Sequence, residues 1–156
     1  MLRGFSRFIE VHKQKENYRN LFSSFILAAP ETELKTHHLW LEKVSFISKK
    51  RWVLYSKKDL ILWQAHIHAG ESRLGRGPME PCDPDFSPVK GLHYVDMEEA
   101  NQGHRYIFNT QDLRLRNFFI SLQNHEKFLK FVTPISQHSE YSKCSRHGVW
   151  HYEAQA

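Results

Sequence analysis

His66-Ile-His68-Ala-Gly-Glu71 is the best-constrained group of chemically capable residues in the chain. Two histidines at i and i+2 on a strand place both imidazoles on one face of a sheet, where they can share a metal. Glu71, just past the strand, supplies an oxygen ligand, and His93 or His104 a further nitrogen. A divalent metal is the only cofactor this spacing admits; otherwise none is expected. A second group is basic. Lys49, Lys50 and Arg51 at one turn, Lys57 and Lys58 at the next, and Arg73 and Arg76 in a glycine-containing segment are phosphate-contact candidates. Trp40, Trp52, Tyr55 and Trp63 are the matching base-stacking candidates. His104-Arg105-Tyr106 with Arg114 and Arg116 has the residue types for metal-independent RNA cleavage, which needs histidine and a cation around a phosphate. Cys144 with His147 or His151 suits a thiol nucleophile or half a metal site.

The order of His66, His68, Glu71 and Gly77 resembles the first metal-binding motif of the cupins, with Glu71 one residue early. That resemblance implies a small barrel or sandwich and a metal-dependent enzyme. Arg7…His12 and Arg146…His151 share a spacing that resembles the signature of the HEPN ribonucleases, which implies an all-helical fold.

The elements that must position these groups follow from periodicity. Phe5, Phe8, Ile9 and His12, then Tyr18, Leu21, Phe22, Phe25 and Ile26, recur at three- and four-residue steps. This predicts an amphipathic helix, or two broken near residues 13–17, ending at Pro30. Residues 39–47, 52–55 and 60–68 are rich in β-formers and separated by polar turns, which predicts an antiparallel meander over 39–68. In its third strand, Ile61, Trp63, Ala65 and Ile67 are expected on the core face. Further strands are expected near 92–97, 104–108 and 113–122, with a helix over 125–131. Four glycines and four prolines make residues 70–91 a long irregular loop. Residues 134–156 read as a partly irregular tail. The expected fold is α+β: an N-terminal helix packed on a mostly antiparallel sheet within one domain, residues 1–156.

The chain is basic, with 22 Lys and Arg against 17 Asp and Glu. The charge is uneven. Residues 1–60 carry 12 basic and 6 acidic side chains, and residues 61–103 carry 3 and 7. Apolar residues make up 40% and charged residues 25%, which excludes disordered, collagenous and coiled-coil classes. No apolar run is long enough to span a membrane. Glu10 and Glu16 argue against a transit peptide, and Ser23 and Ser24 interrupt the short apolar stretch 21–29 that would serve as a signal core. Two distant cysteines, Cys82 and Cys144, fit reduced thiols and a cytoplasmic location. The expected function is a non-catalytic binding module for a protein or nucleic acid, with self-association favoured by the 21 aromatics. A cupin-like metal enzyme on His66 and His68 and a small metal-independent ribonuclease or toxin are the alternatives, so catalysis is left open.

Overall fold

Arg51-Trp-Val-Leu-Tyr55 is buried at all five positions, and a strand buried on both faces needs a layer on each. In the computed structural model, which describes residues 2–12, 18–78, 83–100, 104, 111–137 and 148–153, this segment is β2 of a five-stranded sheet. The other strands are β1 (Phe25–Ala28), β3 (His93–Asp96), β4 (Val132–Pro134) and β5 (Val149–Tyr152). Their order across the sheet is β1-β2-β3-β5-β4. β1, β2, β3 and β5 are parallel neighbours, with Val53 opposite Tyr94 and Val95 opposite Trp150. β4 alone runs antiparallel, and as an edge strand it tolerates Pro134.

Parallel neighbours cannot be joined by tight turns and need crossovers. β1 reaches β2 through α2 (His38–Val44). β3 reaches β4 and β5 through α4 (Leu113–Ser121) and α5 (His125–Phe128). Val53 and Tyr55 enter one apolar cluster with Leu41 and Val44 of α2 and Ile9 of α1 (Leu2–His12). Trp52 and Leu54 enter a second cluster with Leu115, Phe118 and Leu122 of the α4 segment and Phe128 of α5. The β2–β3 connection contains α3 (Leu60–Ala69) and then a segment that lays Leu74, Phe86, Val89 and Leu92 onto the first cluster.

That second part of the connection is tied down by one buried network. His37 Nδ1–H donates to the Leu34 carbonyl, so its Nε2 accepts from the Tyr94 hydroxyl at 2.9 Å. The same hydroxyl accepts from the Val89 N–H at 3.1 Å. Burial holds the His37 imidazole below its ordinary pKa and pushes the Tyr94 phenol up, so both are neutral.

The α+β class stands, but the mostly antiparallel sheet does not: among the described residues only β4–β5 is antiparallel. The meander over 39–68 is α2, β2 and α3. Residues 113–122 form a helical segment, because Asp112 caps it by accepting from Leu115 N–H at 2.9 Å. Strand 92–97 is present as β3 and the helix at 125 as α5. The N-terminal helix is present, but Phe25 and Ile26 belong to β1 instead. Of the expected strand 104–108, only His104 is described, in a turn. No helix among the described residues is long and apolar enough to cross a membrane.

Two outcomes follow from the His37–Tyr94 network. Tyr94→Phe leaves His37 Nε2 and the Val89 N–H without their partner and should cost about 1–3 kcal/mol in urea unfolding. Because the folded state binds the His37 proton less readily than the unfolded chain, the unfolded state carries more protons just below pH ~6.5. Stability should therefore fall as pH drops from 7 towards 5, with His93 adding in the same direction. His151 opposes them. Its pKa is raised, first by a hydrogen bond to Asp96, so its contribution is lost as pH rises. Urea midpoints across this range should show a shallower acid loss for His37→Gln than for the unsubstituted protein.

Candidate functional site

Asp59 is fully buried directly after β2, at the carboxyl edge of the parallel strands, where open α/β sheets place their ligands. One carboxylate oxygen accepts from the Leu62 N–H at 3.0 Å and caps α3. The other accepts from His104 Nδ1–H at 2.6 Å. At the far end Gly70 adopts φ +69° and closes α3 through an N–H bond to the His66 carbonyl. These two caps explain why an apolar, β-former-rich stretch is a helix.

Once helical, α3 has little to pack on. Leu62 is its one buried side chain, lying beside Gly75. Leu62 belongs to neither core cluster. Leu60, Ile61, Trp63 and Ile67 are 70%, 54%, 45% and 55% exposed. At 100° per residue, Leu60, Trp63 and Ile67 fall within an arc of about 60°, on the side turned away from Leu62. The result is an unpartnered apolar stripe at i, i+3 and i+7, the spacing with which one helix meets another.

The segment after α3 holds it in place. Leu74 N–H bonds Thr32 O, Gly75 N–H bonds Pro30 O and Ser56 N–H bonds Gly75 O, joining the ends of β1 and β2. A Cβ on Gly75 would lie 2.5 Å from Leu62 and 2.6 Å from the Ala29 carbonyl carbon, so only glycine fits. Arg76 is buried beside this segment and donates to the Lys57 carbonyl at 3.0 Å.

A second histidine–carboxylate group sits on the same edge. Asp96 ends β3 and accepts from the Glu98 N–H at 3.0 Å. His151 of β5 lies 3.9 Å from Asp96 and 3.4 Å from Glu99. Lys58 bridges to Glu98 at 3.4 Å. His104 lies at the same edge, with its Nδ1 held by Asp59.

The residues singled out from the sequence are dispersed. His66 and His68 lie on α3, not on a strand, and two helical steps set them about 200° apart. Glu71 lines a cleft of about 310 Å³ with Glu33, Lys35, Ser72 and Asp85 instead of facing those imidazoles. Among the described residues no group of three or more His, Cys, Asp or Glu could hold a metal. His93 is stacked on Trp52 and accepts from Trp150 Nε1–H at 3.1 Å, on the opposite edge of the sheet from His104.

Lys49, Lys50 and Arg51 lie at the start of β2, whereas Arg73 and Arg76 lie beyond its end, so they form no single patch. Arg51 is buried and donates to Gly91 O at 3.0 Å, and Lys50 donates to Gln123 O. Of the stacking candidates, Trp52 and Tyr55 are buried, Trp40 is half-buried against the core, and Trp63 is exposed. Arg7 and His12 lie on α1, and Arg114 and Arg116 on α4. Cys82, Arg105, Tyr106, Cys144, Arg146 and His147 lie outside the described residues. The feature missed in the sequence is the stripe on α3. Its signal was present as an Asp N-cap at 59 and a Gly C-terminal stop at 70, ten residues of helix apart. In comparison with known proteins, no family model, no curated protein and no solved structure matches this chain.

Two substitutions report on this architecture. Gly75→Ala should cost about 1–3 kcal/mol, because beside the Leu62 side chain two of the clashing atoms, Ala29 C and Pro30 N, are backbone and cannot move aside. Asp59→Ala removes the cap and the His104 partner together and should cost about 2 kcal/mol by the same unfolding measurement.

Proposed function

We propose that this protein is a binding module that docks a protein partner through α3. The observation that carries the reading is the exposure of Leu60, Ile61, Trp63 and Ile67 on one ten-residue helix. Scattered exposed apolar residues are ordinary, but Leu60, Trp63 and Ile67 within one arc of a capped helix make the pattern of an interaction surface. Trp63 at the centre of the stripe supplies the large, rigid anchor that contributes most in protein interfaces. An apolar stripe selects a protein over a nucleic acid, whose backbone demands cations. Burial of this surface is rewarded at about 25 cal/mol per Å² of apolar area, less the cost of association. A cytoplasmic location accompanies this reading on the strength of the two-cysteine composition alone.

Site-specific photocrosslinking tests it. A photoreactive residue at Ile67 should give a discrete adduct with a protein in the cells that make this chain. The same residue at Leu39, comparably exposed on α2 with polar Glu42 and Lys43 one turn on, should give none. Labelling that is equal at the two positions would remove α3 as the docking element.

A further inference from the structure

We propose that the amino edge of the parallel strands is a nucleotide site, with Arg51, Lys50 and Lys90 holding a phosphate and the rings of His125 and Trp150 taking the base. It lies at the other end of β2 from α3 and is independent of the docking role argued above. The observation that carries it is a buried cation without a counter-ion. Arg51 opens β2 and is 7% exposed. Its Nη2 donates to the Gly91 carbonyl at 3.0 Å, and its Nε is buried with no acceptor. Among the described residues no carboxylate pairs with it. Burial of a charge is costly unless an opposite charge accompanies it. The carboxyl edge shows the usual arrangement: Arg76, 9% exposed, feels the charge of Asp59. A bound anion would supply what Arg51 lacks.

The surroundings of Arg51 carry charge of the same sign. Lys50 precedes it, is exposed, and donates only to the Gln123 carbonyl. Lys90 is exposed, and its carbonyl lies 3.5 Å from Arg51 Nη2. The lysines with carboxylate partners among the described residues are Lys35, Lys43 and Lys58, none of them in this group. The positive field reaches His93, whose pKa is held down by burial and then by the charges of His125 and Arg51.

The rings select among anions. His125 is exposed and Trp150 half-buried, and they meet edge to face with centroids 6.4 Å apart. His125 lies 5.9 Å from the ring of His93, which joins them to the cationic group. Arginine and lysine for the phosphate with an adjoining aromatic face for the base is the combination with which proteins hold nucleotides. An acidic peptide would match the charge and leave the rings unused.

Fluorescence anisotropy of the full chain with a labelled uridylate oligomer of about ten nucleotides should show saturable binding that weakens steeply with salt. Lys50→Gln and Lys90→Gln should each weaken it about threefold to tenfold, and Arg51→Met about tenfold or more. Lys58→Gln, the same charge removed at the other end of β2, should change it less than about twofold. If Arg51→Met does not fold, the two exposed lysines carry the test. The His93 ring resonance, assigned with His93→Gln, should titrate at higher pH with the oligomer bound, because the phosphate offsets the charge of Arg51.

Uridine monophosphate and inorganic phosphate separate the sources of the ligand. Tighter binding of the oligomer than of the monophosphate assigns the site to single-stranded nucleic acid, and equal binding assigns it to a free nucleotide. Inorganic phosphate bound as tightly as the monophosphate overturns the nucleotide reading, because the rings then contribute nothing. Polyglutamate of the same length bound as tightly as the oligomer overturns it in favour of an acidic protein. No binding, or equal losses from Lys58→Gln and Lys50→Gln, overturns the site itself.

Discussion

The burial of β2 on both faces is the constraint from which the architecture follows. Trp52 and Leu54 need one layer and Val53 and Tyr55 another, so helices must lie on both sides of the sheet. Strands that run parallel to β2 on either side must then be reached by crossovers. The crossover to β3 is the unusual one. Its helix does not cover a sheet face; the irregular segment carrying Phe86, Val89 and Leu92 joins α1 and α2 in covering one. α3 is displaced to the carboxyl edge with its apolar residues uncovered.

Asp59 links this arrangement to the candidate site. One carboxylate caps α3 and holds His104, so the direction of the helix and the placement of the imidazole share a single buried charge. A buried carboxylate without such partners would be costly, and here each oxygen has one. The neighbouring ladder from Pro30 to Leu34 against Ser72 to Gly75 fixes the base of α3 in the same way. Rigid support beneath an exposed apolar stripe lowers the ordering cost when a partner binds.

The first apolar layer depends in turn on polar pairing. Tyr94 spans from β3 to His37, before α2, and to Val89 in the connecting segment, and Phe86 stacks on His37 with ring centroids 5.9 Å apart. An irregular segment offers few backbone bonds of its own, so the hydroxyl and the imidazole do for residues 86–92 what a ladder does for a strand. The neutrality of both groups follows from their burial and makes that layer sensitive to acid.

By itself the sequence determined the α+β class, the N-terminal helix, β3, α5 and the strength of β2 as an apolar segment, because each rests on local periodicity or local caps. It also held the capping signals of α3 and α4, at Asp59, Gly70 and Asp112, but period-two readings of 60–68 and 113–122 competed with them. A stretch such as Leu60-Ile-Leu-Trp63 fits either period, and the cap decides only when it is weighed above β propensity. Parallel pairing was not legible at all, since it joins residues such as Val53 and Tyr94 that no local pattern relates. The separation of the basic residues to opposite ends of β2, the divergence of His66 and His68 and the meeting of Asp59 with His104 are of the same kind. Only the tertiary structure decided them, because they depend on which strand end, helix face or crossover each residue occupies once the two faces of β2 are covered.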